Sequence, residues 1–343
     1  MTMTRWLAGA GLRRHLTRAW LARGSSNRNR IGRPDGLSYA RHRAALRNMR
    51  HRRAAVREHT FGRLGQLEVR LASTASAIAQ AQRLRYQVFF EEMNATPSLV
   101  ARMRRRDQDR YDAVCDHLLV IDHAAGAASA GATDNGRRWG AARRPQVVGT
   151  YRVLRQDVAA RKRIAFYTQA EYDIAPLMAR KAAAGYAFME LGRSCVLKPY
   201  RNKRTVELLW HGLWTYVRQH GIDVMIGCAS FAGTDPQAHA MALSFLHHQA
   251  QAPETWRART HDHLYQPMDL LPADQVDARQ ALRAMPPLIK GYLRLGAMIG
   301  DGAYIDHDFG TIDVLIILPV ERIDPRYFEH FGAPDERTSR VAG

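Results

Sequence analysis

Two charged side chains three positions apart, Glu190 and Arg193 in Met189-Glu190-Leu191-Gly192-Arg193-Ser194, have the types and spacing best suited to chemistry. The surrounding stretch, 187–197, is apolar and reads as a strand, in which residues three apart face opposite sides of the sheet. A bulge would bring the acid and the arginine to one face, and Gly192 is placed to allow it. The same bulge would free a backbone N–H to polarise a carbonyl oxygen. Taken alone, the pair fits a buried structural ion pair as well as a catalytic one. Its meaning depends on what accompanies it.

Arg85 and Phe89 lie one helical turn apart and share a face. Asp109 and Asp112, in Asp109-Arg110-Tyr111-Asp112, are two carboxylates suited to a cationic substrate, to an arginine or simply to water. Val147-Val148-Gly149 leads into Arg152. His247 and His248 end a helix, where histidine complements the dipole as readily as it moves protons. Cys115, Cys195 and Cys228 have neither metal-ligand nor CxxC spacing and read as core thiols of a reduced, cytoplasmic protein. No GxGxxG or GxxxxGK[ST] phosphate loop is present, and no metal site is expected.

The elements that must hold these residues follow from periodicity. A strand is predicted over 65–71, then a helix capped by Ser73 or Thr74 and running to about Met93. A polar loop is expected over 94–110, strands over 117–121 and 146–154, and a Gly/Ala-rich loop over 124–145. Helices over 174–184, 205–219 and 235–248 alternate with strands over 187–197 and 222–230. Two further strands are predicted over 289–299 and 311–320, the latter almost purely β-forming. This order gives an α/β fold with one mixed sheet in a domain spanning 61–332, followed by a tail at 333–343.

The net charge of +19 suggests nucleic acid, but thirteen of those charges lie within residues 1–60, which hold fifteen arginines and no lysine. This segment reads as a basic, mostly disordered extension. Within it, Trp6, Leu7, Leu12, Leu16, Trp20 and Leu21, interleaved with Arg13, Arg14 and Arg18, suit a short amphipathic helix on anionic lipid. A leader without any role is the plainer alternative. No window reaches the roughly 18 apolar residues of a membrane-spanning helix.

Taken in order, RxxxF, DxxD, VVGxxR and ExxR resemble the acyl-homoserine-lactone synthases of the GNAT acyltransferase superfamily. The sequence is more similar still, across 61–332, to the ornithine N-acyltransferases. That resemblance is carried by Leu84-Arg85-Tyr86-Gln87-Val88-Phe89, Cys115-Asp116-His117-Leu118-Leu119-Val120, Gly149-Thr150-Tyr151-Arg152, Glu190-Leu191-Gly192-Arg193-Ser194-Cys195-Val196, Ile226-Gly227-Cys228-Ala229-Ser230-Phe231 and the run from Pro286 to Gly296. It implies a GNAT-like sheet with a bulged central strand and flanking helices. It also implies transfer of a 3-hydroxyacyl group from acyl carrier protein to the α-amine of L-ornithine, forming lyso-ornithine lipid. Lysine or glutamine as acceptor, and a lactone synthase or other N-acyl amino acid synthase, are the alternatives.

An α-ammonium must lose a proton before it attacks a thioester, and Glu190 is the expected base, directly or through one water. The resemblance gives Asp109 and Asp112 to the incoming ammonium, and Arg85, Arg152 and Arg193 to these acids and the acceptor carboxylate. N–H groups near Ser194 and Cys195 would meet the oxyanion, and Phe89 would line the substrate cleft. Where coenzyme-A-dependent relatives carry a glycine-rich pyrophosphate loop, this chain has Pro199-Tyr200-Arg201-Asn202-Lys203-Arg204-Thr205, without glycine. Arg201, Lys203 and Arg204 then suit the single phosphate of a pantetheine arm and an acidic carrier surface. No resident cofactor and no nucleic acid are expected, and the location expected is cytoplasmic, peripheral at the inner membrane of a Gram-negative bacterium.

Overall fold

The computed structural model describes residues 60–93, 95–125, 145–324 and Tyr327. The basic extension before Thr60, the predicted amphipathic helix within it, most of the Gly/Ala-rich loop and the 333–343 tail lie outside the described residues. No helix among the described residues is long and apolar enough to cross a membrane.

Ten strands make up one sheet: β1 (Thr60–Leu64), β2 (Leu67–Leu71), β3 (Asp116–Asp122), β4 (Gln146–Arg155), β5 (Tyr172–Asp173), β6 (Phe188–Val196), β7 (Val224–Ala232), β8 (Arg259–Thr260), β9 (Met298–Asp306) and β10 (Thr311–Pro319). Their spatial order is β1-β2-β3-β4-β6-β7-β10-β9-β8-β5. The strand expected at 65–71 begins two residues later. Gly65, at φ 65°, turns the chain into a hairpin that adds β1 ahead of it.

Helix α1 (Ala75–Tyr86) starts where expected, with the Thr74 hydroxyl accepting the Ala77 N–H at 3.1 Å. It continues as a π-helical turn over Gln87–Glu92. The predicted 94–110 loop contains α2 (Leu99–Arg104), and of the strand predicted over 289–299 only Met298 and Ile299 are strand, the rest being α8 (Pro287–Arg294) and the turn after it. A proline at the start of that helix and burial of Ile289, Tyr292 and Leu293 on one side, with Lys290 and Arg294 one turn apart, give it a helical period. Between them lie α3 (Gln156–Lys162), α4 (Ala175–Ala183), α5 (Lys203–His220), α6 (Ala240–Ala250) and α7 (Ala278–Ala284).

The sheet separates two apolar layers. One packs β-residues such as Val69, Leu118 and Met189 against Leu213, Trp214, Leu243 and Ile289 of the helices. The other packs Leu154, Phe188, Ile226 and Leu315 under Phe166, Tyr172 and Trp256. At the centre, β6 and β7 run parallel but pair only from Phe188↔Val224 to Glu190↔Ile226, although both continue to Val196 and Ala232. The strands therefore fork beyond Glu190. At the fork the backbones come so close that a Cβ on Gly227 would stand 2.2 Å from the Leu191 carbonyl oxygen, so only glycine fits. A small cleft, of about 10 Å³, opens there, lined by Leu191, Met225, Gly227, Tyr292, Ile316 and Leu318.

Candidate active site

The central strand does bulge, one residue later than Gly192. Thr150 pairs with Cys195 and Arg152 with Gly192, so Tyr151 alone opposes Arg193 and Ser194. Arg193 takes the left-handed backbone at φ 50°, and Gly192 is not in that region. A non-glycine residue in this conformation is strained and persists only where its surroundings fix it. Here they do: the guanidinium lies 5.0 Å from the centre of the Tyr167 ring and 4.8 Å from that of Phe309. Its Nε stands 3.3 Å from Asp107 Oδ2.

Arg193 is one of three guanidiniums meeting three carboxylates. The side chain of Arg85 is wholly buried, and its Nε donates to Asp107 Oδ2 at 2.7 Å. One of its terminal nitrogens reaches both Asp112 oxygens at 2.8 Å and the Asp107 carbonyl at 2.6 Å. Arg152 donates to both Asp109 oxygens at 2.7 Å and to Asp112 Oδ1 at 3.2 Å. Gln82 adds a bond to Asp112 at 3.1 Å. Asp109 and Asp112 also cap the short turn Arg110–Ala113 reciprocally, which fixes the spacing of their carboxylates. Burial pushes the Asp112 carboxyl up, but Arg85 and Arg152 outweigh it and hold the group down at about 2. The network balances charge for charge. Phe89 lies outside it, edge-on to Phe309 at 5.8 Å.

Alternation along the strands puts Arg152, Glu190, Cys228, Asp313 and Asp306 on one face of the sheet, and Thr311, also on it, is paired with Asp306. The bulge brings Arg193 to this face, under the same turn that Glu190 binds. The buried Glu190 carboxylate accepts the N–H of Tyr167 at 2.9 Å and of Thr168 at 2.7 Å. Burial raises its pKa while those amides and Arg152 pull it down. Beside it, the buried Glu171 carboxylate receives the Cys228 thiol at 3.0 Å. Burial, together with the charges of Asp313 and Asp306, pushes Glu171 up to about 8. Asp313 accepts the Thr311 hydroxyl at 2.8 Å, and Asp306 accepts the N–H groups of Asp308 and Phe309 at 2.9 Å. No arginine or lysine among the described residues stands within ion-pair distance of Glu171, Glu190, Asp306 or Asp313. This half of the face holds buried acids without a cationic partner among the described residues.

Burial holds the three thiols protonated, with Cys115 and Cys195 pushed up to about 12. His248 spends its Nε2 on the Leu271 carbonyl at 2.9 Å, and its helix α6 packs into the opposite layer from Glu190. The basic trio sits at the start of α5. Asn202 caps that start by accepting the Thr205 N–H at 3.2 Å, Arg201 donates to the Val196 carbonyl at 2.9 Å and pairs with Glu92, and Lys203 pairs with Glu207 at 3.3 Å. Arg204 is exposed.

Sequence reasoning missed Asp107, Glu171, Asp306 and Asp313. Asp107 had a signal, since three arginines around two acids call for a third. Asp313 had one too, as the lone charge in the apolar run Thr311–Pro319.

Comparison with known proteins now decides the family. Residues 84–211 match the acetyltransferase (GNAT) domain. The chain is 51% identical over 277 residues to an L-ornithine N(alpha)-acyltransferase of Brucella abortus, covering 81% of this chain and 92% of that one. Proteins of the same description from Agrobacterium fabrum (52% over 280 residues, 82% and 90% covered) and Rhizobium meliloti (49% over 286 residues, 83% and 91% covered) align equally well. The chain belongs to the L-ornithine N(alpha)-acyltransferase family. It is an N-acyltransferase on a GNAT fold, as the motif order implied. Among solved structures, an N-acyl amino acid synthase from uncultured soil microbes covers 79% of this chain at 9% identity with a TM-score of 0.40, too loose a superposition to transfer any residue's role.

Proposed function

We propose that this enzyme moves a 3-hydroxyacyl group from acyl carrier protein to the α-amine of L-ornithine, making lyso-ornithine lipid. The observation that carries the acceptor is the surplus of buried carboxylates beside the fork. A dicationic amino acid supplies the charge that this face lacks, and burying unpaired carboxylates is otherwise costly. Glu171, Asp306 and Asp313 hold the δ-ammonium, and the open side of Asp109 supports the α-ammonium. Arg193, with Arg85 and Arg152 behind it, orients the acceptor carboxylate.

Glu190 takes the α-ammonium proton, directly or through one water, and burial raises its pKa above the ordinary carboxylate value. The amine attacks the thioester carbon, the C–N bond forms and the C–S bond breaks. The pantetheine thiolate leaves and takes up a proton. N–H groups at the bulge around Ser194 and Cys195, where the ladder is interrupted, face the oxyanion. The fork between β6 and β7 beyond Glu190 receives the thioester end of the acyl chain. The capped, glycine-free start of α5, with Arg201, Lys203 and Arg204, favours a carrier-bound single phosphate over a coenzyme A pyrophosphate.

The test is purified full chain with 3-hydroxyacyl carrier protein, or the matching coenzyme A thioester, and ornithine, lysine, glutamine or S-adenosylmethionine as acceptor. Mass spectrometry should find α-N-acylornithine, formed from the carrier-bound donor with the higher kcat/KM. Turnover with S-adenosylmethionine alone would replace this reading with a lactone synthase.

A further inference from the structure

Four large apolar side chains stand in solvent among the described residues, and all four belong to one stretch. Met93 is 49% exposed, Leu99 72%, Val100 58% and Met103 79%. Isolated exposed apolar residues are ordinary, but a cluster marks an interaction surface. The last three occupy positions i, i+1 and i+4 of α2, a helix with no buried residue at all. The helix is nonetheless well built. Ser98 accepts the Ala101 N–H at 3.2 Å, and Arg105, at φ 49°, ends the helix by donating to the Ala101 carbonyl. Its flanks are pinned by Thr96 N–H to the Asp308 carbonyl at 2.8 Å, Asp107 N–H to the Gln82 carbonyl at 3.0 Å, and an Arg105–Glu91 ion pair. It is a fixed projection.

Arginines surround the apolar side chains. Arg102 and Arg104 are exposed and pair with no acid among the described residues, and Arg105 and Arg106 follow directly.

We propose that α2 and its flanks dock the enzyme on an anionic bilayer. Leu99, Val100 and Met103 enter the boundary between headgroups and acyl chains, while Arg102, Arg104 and Arg106 meet lipid phosphates. Exposed apolar side chains interleaved with exposed arginines on one short helix favour a bilayer over a protein partner. The charge is complementary to an acidic lipid surface. Position gives the docking a purpose. The chain runs from α2 straight into Asp107, Asp109 and Asp112, and Phe89 and Phe90 contact Phe309, the ring that covers Arg193. Docked this way, the enzyme releases an N-acyl amino acid, an amphiphile, beside lipid. That purpose rests on the proposed activity, whereas the surface itself does not.

The full chain is floated with vesicles of phosphatidylcholine alone or mixed in equal parts with phosphatidylglycerol. Wild type should float with the mixed vesicles. The triple variant Leu99→Ser, Val100→Ser, Met103→Ser should partition about tenfold or more weakly. The double variant Arg102→Glu, Arg104→Glu should lose the preference for anionic lipid. Both should keep the wild-type melting temperature and vesicle-free kcat, since these side chains lie mostly in solvent and none belongs to the proposed site. A Leu99→Trp reporter should shift to the blue on mixed vesicles. Unchanged partitioning of the triple variant, which would leave binding to another part of the chain, overturns the proposal. So does a raised KM for acyl carrier protein in vesicle-free buffer with vesicle binding intact, which would make α2 a carrier-docking surface. Absence of acylation would remove the proposed reaction and leave the flotation result standing.

Discussion

Asp107, Asp109 and Asp112 are set against Arg85, Arg152 and Arg193, whereas Glu171, Asp306 and Asp313, on the same side of the sheet, are set against a thiol, a hydroxyl and two amides. The first cluster is balanced in charge by the protein alone, with only the buried Arg85 Nη1 and Arg193 Nε lacking a hydrogen bond. A balanced, hydrogen-bonded network contributes rigidity, and losing one member leaves a buried charge uncompensated. The second is incomplete, because carboxylates buried without a cation raise one another's pKa and destabilise the empty protein. On the proposed reading, the difference separates what positions the substrate from what recognises it, and removing one charge from each side tests it.

Arg85→Ala should have the largest effect. It strips Asp107 and Asp112 of their main partner, and stability should fall by about 3–5 kcal/mol in urea unfolding. A loss below roughly 1 kcal/mol, typical of a surface pair, would remove the distinction between the clusters. Glu190→Gln comes next. Its two amide bonds partly survive in the glutamine, so the protein should fold, while kcat falls by at least about a hundredfold if the carboxylate takes the proton. Wild-type turnover would reduce Glu190 to an anchor for the Tyr167–Ala170 turn.

The third prediction concerns pH. The folded pKa of Glu171, about 8, lies above its ordinary value of 4.5, so the protonated form favours folding. That contribution is whole below the ordinary value and is lost as pH rises through about 8, at up to about 1.4 kcal/mol per pH unit. The melting temperature of the empty enzyme should therefore decline across this window, more steeply than that of Glu171→Gln. Saturating ornithine, by supplying a cation, should flatten the wild-type slope. Parallel profiles for the two proteins would mean that Glu171 titrates elsewhere.

How far the sequence revealed the site follows the same division. Arg85, Arg152, Glu190 and Arg193 sit on periodic elements and Asp109 and Asp112 at the end of a predicted loop, all at motif spacings, and the structure assembles all six around one face. The bulge was legible as a requirement, because Glu190 and Arg193 could not otherwise share that face. Its position was not, since glycine permits a left-handed backbone without demanding one, and the contacts of Arg193 with Tyr167 and Phe309 shifted it along. The second cluster stayed hidden because its acids come from three separate parts of the chain, the turn before β5 and the strands β9 and β10, brought together only by the folded sheet. Likewise 289–299 read as a strand because its β-forming Ile, Tyr and Leu residues outweighed the one helical sign, the i, i+4 spacing of Lys290 and Arg294.

The smallest predicted effect is the one that addresses specificity. Asp313→Asn keeps the shape of a side chain that accepts from Thr311 and removes one charge from the surplus. If the δ-ammonium sits among these acids, the KM for ornithine should rise about tenfold, roughly 1.4 kcal/mol of lost binding, with kcat and the KM for the acyl donor near wild type. Stability should not fall, and above neutral pH it should rise, because the variant relieves repulsion that the empty enzyme carries. A buried acid kept only for folding would do the reverse, costing stability and leaving the ornithine KM unchanged. The two readouts move in opposite directions, so this one substitution distinguishes a site built around a missing cation from a second structural network whose partners happen to be neutral.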